Sequence, residues 1–515
     1  MKNQFIFLLV LFCQITGIFP IKAETLLFQD NPFNHEATTG SGESSDLPNI
    51  IFIMADDLGY HDLGCYGQEL IKTPNIDRLA SEGLRFTDFY AGAAVCAPSR
   101  SVLQTGMHTG HTTVRGNECR AGGLRQPPGS TGRPGSMRIG LSGSDITIGH
   151  ILSSAGYYTG LIGKWHLSDY LLENLPVYRG YHEYRGSCLA DSRSSTRGMM
   201  FFQDSVKRIP DEFLADSRDG ICTNLAADFI KRNKDKPFFL MLTLSTPHKP
   251  FNIADQGIYA DKPWNDMSKN YAALVKRLDR HVGQILKVLE DFGIDKKTIV
   301  FFCSDNGGEY REIPEDWAKW TKTFQSNHPL KGGKADFYEG GIRVPMIVRW
   351  PGIIEPGRVS HQPLYFADIL PTLAEIAGAN PPVRTDGLSM LKILTGESDK
   401  LKERFMYWEF EHRGFHQAVR WNNWLLLRWT QKQQRIYGQP GMNEERRSTK
   451  YPFYELYNLD EDISQEYNVI DLFPEVAATM LEYLKTARED SPYYPLTGQE
   501  KRSLDTLNMT VFNRP

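Results

Sequence analysis

Two short polar sequences each close an apolar run. Asp56-Asp57 ends the run 49–55, and Asp305-Asn306 follows the run 298–303. Neighbouring side chains on an extended strand diverge, but at a strand end both can turn toward one point. Four oxygen-bearing groups at one sheet edge suit a hard cation such as calcium or magnesium, which takes oxygen ligands. No Cys or His accompanies either pair in sequence, which makes zinc a poorer match. Either pair alone is also a good turn former, so the inference rests on both of them ending buried strands.

A third feature is the stretch Val95-Cys-Ala-Pro-Ser-Arg-Ser101. Pro98 is suited to the first turn of a helix, expected over 98–104. Cys96 then lies just ahead of that helix, in the positive field of its N-terminus, with Arg100 one turn further on. An anion held there would meet backbone N–H groups and a guanidinium. The residue chemistry therefore reads as an anion site with a reactive cysteine.

These residues need a scaffold that brings strand ends together. Buried strands are expected at 49–55, 157–162, 237–244, 298–303 and 345–349. Helices are expected at 74–82, 146–154 (with Asp145 as the cap), 222–233, 268–292 and 367–376. In the helix at 268–292, Leu274, Leu278, His281, Val282, Ile285 and Val288 share one face. Strand–helix alternation of this kind predicts an α/β fold with a large, mainly parallel sheet flanked by helices. Such sheets bind ligands at the carboxyl ends of their strands, where both acidic pairs lie. After about residue 398 the pattern changes to short strands at 406–410, 417–420, 424–428 and 453–458, then a helix at 474–487. That predicts a small C-terminal domain with an antiparallel sheet and a covering helix.

Cys96-Ala-Pro-Ser-Arg100, followed by Thr105-Gly106, resembles the signature of the formylglycine-dependent sulfatases, arylsulfatase-like members of the alkaline-phosphatase-like superfamily. Further segments of the same family pattern follow in order: residues 49–59, Gly163-Lys-Trp-His-Leu167, Thr246-Pro-His-Lys-Pro250, Ser304-Asp-Asn-Gly307, Leu330-Lys-Gly-Gly-Lys334 and Tyr338-Glu-Gly-Gly-Ile-Arg-Val-Pro345. The resemblance implies that Cys96 is oxidised to formylglycine (3-oxoalanine), and that Asp56, Asp57, Asp305, Asn306 and the modified Cys96 bind one calcium ion. It implies that Arg100 and Lys164 hold the formylglycine hydrate and that His166 hydrogen-bonds it. Lys334 and His248 would hold the sulfate and the leaving oxygen. The activity implied is hydrolysis of a sulfate ester. A maturation enzyme that reads the Cys-x-Pro-x-Arg stretch is implied as a partner. Two departures stand near the pattern: Ser168 where a Gly commonly follows, and Leu426 or Leu427 where the C-terminal domain often carries Lys. Two other readings stay open, a phosphate or phosphonate ester hydrolase of the same superfamily and a non-catalytic glycan-binding homologue.

The domain expectation is then a signal peptide at 1–23, a loose lead-in at 24–47, a catalytic domain at 48–398 and the small α+β domain at 399–515. Lys2, the apolar stretch 5–19 and the small residue Ala23 form a leader pattern, so the chain is expected to be secreted or periplasmic. The apolar stretch is too short and interrupted for stable membrane insertion. A formal net charge of −4 over 515 residues gives no reason to expect a nucleic-acid partner, so an anionic substrate needs a local basic pocket. Seven cysteines without a CxxC pair exclude a disulfide scaffold or zinc ribbon. Arg115, Arg120, Arg125, Arg133 and Arg138 fall in the Gly-rich stretch 112–143. That stretch is either a solvated loop or a rim subsite for an anionic glycan. Trp317 and Trp320, in the insert 309–329, either stack on sugar faces or pack the insert down. Together these features favour a sulfated carbohydrate over a small aryl sulfate.

Overall fold

The computed structural model describes residues 47–118, 138–168, 174–187, 199–202, 205–208, 216–251, 253–310, 318–411, 415–430, 453–497 and 500–501. Along the chain the elements run β1 (Asn49–Asp56), α1 (Pro74–Ser81), β2 (Leu84–Phe86), β3 (Phe89–Tyr90), α2 (Cys96–Thr105), α3 (Ile148–Ser154), β4 (Tyr158–Lys164), β5 (Glu183–Ser187), β6 (Met199–Phe202), β7 (Ser205–Arg208), α4 (Asp216–Asn233), β8 (Phe238–Pro247), α5 (Asp266–Asp291) and β9 (Thr298–Ser304). They continue with α6 (Ala318–Phe324), α7 (Glu339–Ile342), β10 (Met346–Arg349), β11 (Arg358–Ser360), β12 (Leu364–Tyr365), α8 (Ile369–Ile376), α9 (Leu391–Thr395), β13 (Phe405–Glu411), β14 (Phe415–Trp421), β15 (Trp424–Trp429), β16 (Phe453–Asn458) and α10 (Pro474–Thr486).

Ten strands form one sheet in the order β11-β2-β10-β9-β1-β8-β4-β5-β6-β7. Its centre, β9-β1-β8-β4-β5, is parallel throughout. Antiparallel pairings appear only toward the two flanks. β1 is buried over its whole length. Ile50, Phe52 and Met54 pack into one core layer, while Ile51, Ile53 and Ala55 pack into the other. A strand covered on both faces has no polar alternation, which is why its sequence is an unbroken apolar run. In α5, Asn265 accepts a hydrogen bond from Ser268 N, and of the face predicted from spacing Leu274, Leu278, His281, Val282 and Ile285 are buried while Val288 is half-buried.

Two expectations are corrected at helix starts. Asp145 does not cap α3. Thr147 does, and its side chain and the His150 ring satisfy each other's backbone N–H groups. Asp145 instead accepts from Ser142 N within the preceding turn and from Thr113 Oγ1 of the segment after α2. The helix that carries Cys96 also begins earlier than predicted. Cys96 is itself the first residue of α2, with Pro98 in the first turn, where a missing N–H costs nothing. The helix ends at Gly106, whose φ of 67° is the left-handed conformation that glycine adopts freely.

β13 to β16 form a four-stranded antiparallel sheet, and α10 covers one face through Ala477, Met480 and Leu484. The sheet also braces the segments on either side of α2. Trp408 Nε1 donates to Ala91 O at 2.9 Å, and Glu409 N donates to Thr109 Oγ1 at 2.7 Å. Leu426 faces the α10 layer and Leu427 the main core, both fully buried. Both leucines at this point serve packing.

Candidate active site

The two acidic pairs meet where β1 and β9 end. Asp305 N donates to Ala55 O at 3.1 Å, and Asp57 N donates to Asp305 Oδ1 at 3.2 Å. Asp57 has φ 64°, outside the usual range for a non-glycine residue. That reversal, with a register shift in β1 after Met54, turns Asp56 and Asp57 toward one point instead of opposite faces. Ser304 Oγ ties the two turns together by accepting from Leu58 N and donating to Asn306 O.

Cys96 lies at the head of α2, against this pair. Its Sγ is 3.5 Å from Asp56 Oδ1 and 4.0 Å from Asp57 Oδ1. Arg100, one turn along, directs Nε and Nη2 to Asp305 Oδ2 at 3.0 and 2.7 Å and Nη1 to the Lys164 carbonyl at 2.9 Å. Lys164 Nζ reaches Asp56 Oδ2 at 2.5 Å, and Lys334 Nζ reaches Asp57 Oδ2 at 2.5 Å. His248 Nε2 stands 3.5 Å from Asp57 Oδ2, and its Nδ1 is 2.6 Å from the Lys249 carbonyl. The structure thus brings together Asp56, Asp57, Cys96, Arg100, Lys164, His248, Asp305, Asn306 and Lys334. His166 joins the centre electrostatically. Its ring is buried, and neither ring nitrogen has a hydrogen-bond partner.

Burial opposes the charges of Asp56 and Asp57. Lys164 with His248 and Arg100 outweighs it for Asp56, and Lys334 with His248 outweighs it for Asp57, so both carboxyls stay below the ordinary range. At Asp305 burial and the neighbouring Asp56 prevail over Arg100, and its carboxyl is raised. Burial, Lys164 and Arg138 hold the His166 imidazole well below its usual pKa, in the neutral form. Burial pushes the Cys96 thiol up. An unmodified Cys96 is therefore a poor thiolate nucleophile despite its helix terminus.

Several residues of this centre were not singled out from the sequence. Ser99 Oγ donates to Asp305 O at 2.5 Å and accepts from Gly92 N, fixing the α2 head to the β9 end. Asn117 Oδ1 accepts from Ala97 N at 3.0 Å. Glu309 binds Lys249 Nζ at 2.9 Å, linking the His248 segment to the loop after Asp305. A serine inside a helix and an isolated Asn or Glu carry no spacing signal that would have found them.

The expected sugar-contacting residues need correction. Trp320 is 2% exposed and stacks on Tyr271 with ring centroids 4.1 Å apart, so it packs its segment down. Trp320→Ala is expected to cost about 3–5 kcal/mol of stability, measured as a lowered denaturation midpoint with KM unchanged. A raised KM at unchanged stability would reinstate the stacking role. Arg115 is buried and paired with Glu409 at 3.0 Å, a structural role. Arg138 is half-buried, and its charge acts on His166. Trp317, Arg120, Arg125 and Arg133 lie outside the described residues. Cys65, Cys96, Cys222 and Cys303 are free thiols, with Cys303 buried in β9, while Cys13, Cys119 and Cys188 lie outside the described residues.

His108, His111 and Asp386 form a second cluster of metal-ligand type. Gly110 N donates to His108 Nδ1 at 3.1 Å, which places the proton of the neutral ring on Nε2. Nε2 is the nitrogen that faces Asp386, so this arrangement lacks the lone pair a cation needs. Asp386 accepts from His108 N and His111 Nδ1, and its own backbone N–H donates to Gly106 O. The cluster is a latch at the C-terminus of α2.

Comparison with known proteins agrees with this geometry. The sulfatase family profile matches residues 48–379, and a profile for the C-terminal region of N-sulphoglucosamine sulphohydrolase matches residues 333–489. The chain is 32% identical over 381 residues to N-acetylgalactosamine-6-sulfatase of Canis lupus familiaris, covering 70% of this chain and 68% of the relative. It is 31% identical over 475 residues to human arylsulfatase A, covering 85% and 86%. Among solved structures, Ps i-CgsB in complex with k-i-k-neocarrahexaose superposes with a TM-score of 0.71 at 26% identity, over 91% of this chain and 100% of that one. PsFucS1 sulfatase from Pseudoalteromonas sp. shares the fold, with a TM-score of 0.66 at 23% identity over 86% of this chain and 90% of that one. The buried acidic strand ends, the cysteine at the helix head and a profile match across most of the large-sheet region converge on one conclusion: the chain belongs to the sulfatase family and is a sulfuric ester hydrolase.

Proposed function

We propose that the protein removes sulfate from a sulfated carbohydrate, with Cys96 acting as formylglycine and one calcium ion held by Asp56, Asp57, Asp305, Asn306 and residue 96. The convergence of these groups carries the reading. Three carboxylates, Asp56, Asp57 and Asp305, face three cations, Arg100, Lys164 and Lys334, in a buried centre. Such a centre is balanced before any ligand arrives, and a sulfate ester entering it would add unmatched charge. A divalent cation makes the centre positive and able to accept that anion. The donor set fits calcium. It is oxygen-rich, and Asn306 Oδ1 is buried with no hydrogen-bond partner while its Nδ2 donates to Asp57 Oδ1 at 2.8 Å.

When present, the formylglycine hydrate supplies the attacking oxygen and a second hydroxyl for sulfate release, and the cation supplies positive charge against the sulfate oxygens. The chain's own side chains do the rest. Arg100 is locked by Asp305 and the Lys164 carbonyl, so it orients residue 96 without reorganising. Lys164 and Lys334 place ammonium groups where the sulfate oxygens gain charge, a preorganised electrostatic contribution. His248 is oriented by the contact of its Nδ1 with the Lys249 carbonyl, which turns Nε2 toward the centre beside Asp57, where it is placed to act as the acid for the departing alcohol oxygen. His166, neutral and with unpartnered ring nitrogens, is placed to accept a proton when sulfate leaves.

The carbohydrate reading draws support from Ps i-CgsB, whose solved complex contains neocarrahexaose. It is tested by sulfate release from defined sulfated oligosaccharides against a chromogenic aryl sulfate. Faster turnover of the aryl ester would end it. Peptide mass spectrometry of residue 96 tests the modification. Calcium at about 100 times its Kd is expected to raise the unfolding free energy by about 2.7 kcal/mol, read as a higher Tm, and Asn306→Leu is expected to shrink that shift. Equal melting in calcium and in chelator would remove calcium from the reading. The leader pattern leads us to propose export to the periplasm or cell exterior, testable by fractionation and N-terminal sequencing. Among the described residues, no helix is long and apolar enough to cross a membrane.

A further inference from the structure

A cavity of about 720 Å³ opens between the large sheet and the C-terminal sheet, and none of the active-site residues named above lines it. One wall comes from Asp88, Arg343 and His361 of the large-sheet region. The other comes from the segment 400–404 with Arg420, Asn422 and Asn423 of the C-terminal sheet. Its size falls within the range of small-ligand sites and exceeds what a single tetrahedral anion fills.

The charge of its lining is unbalanced. Arg343, Lys400, Lys402, Arg404 and Arg420 face the cavity against Asp88, Glu403 and Asp460. Asp88 is already saturated. Its Oδ1 takes Arg420 at 3.2 Å, and its Oδ2 takes Arg343 at 3.1 Å and Thr87 Oγ1 at 2.7 Å. Glu339, behind this pair, binds Arg343 at 3.0 Å and lies 3.6 Å from Arg420. Burial pushes its carboxyl up to about 7, so it neutralises the two guanidiniums only in part near neutral pH. Arg404 is held by Asp368, and Glu403 accepts from Asn422. Lys400 and Lys402, both exposed, have no carboxylate partner among the described residues. Beside these charges lie the amides of Gln362 and Asn423 and the apolar surfaces of Leu401 and Leu459. Cations, amides and apolar patches together are what an acidic sugar presents partners for, whereas a free ion would use the cations alone.

We infer that this cavity is a second, non-catalytic saccharide site that takes a sulfate- or carboxylate-bearing segment of the same glycan whose ester is cut at the active centre. The inference rests on the carbohydrate reading of the substrate. It adds that affinity for a polymer is divided between two places on the protein. Exposed ammonium groups act through a screened field, so the contribution weakens with salt.

The test separates binding from turnover. In a Cys96→Ala background, titration with sulfated oligosaccharides is compared among the parent, Lys400→Gln/Lys402→Gln, and Lys262→Gln/Lys296→Gln, which removes two exposed charges elsewhere. The first pair is expected to weaken oligosaccharide binding about tenfold at low salt, and the control pair to leave it within about twofold. With Cys96 intact, Lys400→Gln/Lys402→Gln is expected to keep kcat/KM on a small aryl sulfate while raising KM on the polymer. Equal binding by the two double variants would overturn the inference. So would complete displacement of the oligosaccharide by millimolar inorganic sulfate or phosphate, which would make the cavity a free-anion site. Binding that depends on Lys400 and Lys402 without hydrolysis of any sulfated saccharide would leave this site standing and defeat the substrate reading instead.

Discussion

Cys96→Ser is expected to lower turnover by about a thousandfold or more, with the folded state intact. Serine fills the same space at the head of α2, against Asp56 and Asp57, so the ion-pair framework persists. What it lacks is the geminal second hydroxyl of an aldehyde hydrate. A serine that attacks the ester becomes a sulfate monoester, and its release must wait for water to reach a buried sulfur. Sulfate release measures the loss of rate. Intact-protein mass after incubation with substrate is expected to show one sulfo group retained per chain, or none if attack also fails. Undiminished multiple turnover by Cys96→Ser would rule out the formylglycine scheme.

The second large effect belongs to Arg100. Its fork binds Asp305 through two nitrogens and the Lys164 carbonyl through the third, and another carboxylate, Asp56, lies 3.9 Å away. Arg100→Met would leave Asp305 buried and unpaired, a change that costs about 3–5 kcal/mol. Arg100→Lys keeps the charge, but one ammonium cannot span both partners. Activity is expected to fall about a hundredfold or more in Arg100→Lys even where stability largely recovers. Chemical denaturation and kcat measured on the same samples separate the two effects. A fully active Arg100→Lys enzyme would reduce Arg100 to a counter-charge.

Much of the scaffold was legible in the sequence because burial on both faces writes a plain pattern. The runs 49–55 and 298–303 are central strands, and their acidic ends point where parallel sheets place ligands. Most of the flanks were not legible: β10 was expected at 345–349, but β2 and β11 are three residues long, too short for a periodicity to register. The α3 cap was misplaced because Asp145 and Thr147 are both good capping residues two positions apart, and the neighbouring turn decides between them. At the active centre, residue types were legible and partners were not. Lys164 meets Asp56 across 108 residues, and Lys334 meets Asp57 across 277. Only the fold makes these contacts, and spacing carries no trace of them. Trp320 was ambiguous for the same reason, since the ring that covers it belongs to Tyr271 on α5.

Every residue of α2 is buried, from the cysteine at its head to Thr105. No second protein could insert its own reactive groups around that sulfur once the helix has docked beneath the carboxylates. On the proposed reading, in which a maturation enzyme oxidises the thiol, that oxidation would be in a race with folding, and chains that collapse first would be locked as permanently silent copies of the same shape. In a culture producing this protein quickly, specific activity would then report the fraction of polypeptides caught in time, and slowing synthesis would raise it without altering a single contact in the finished molecule.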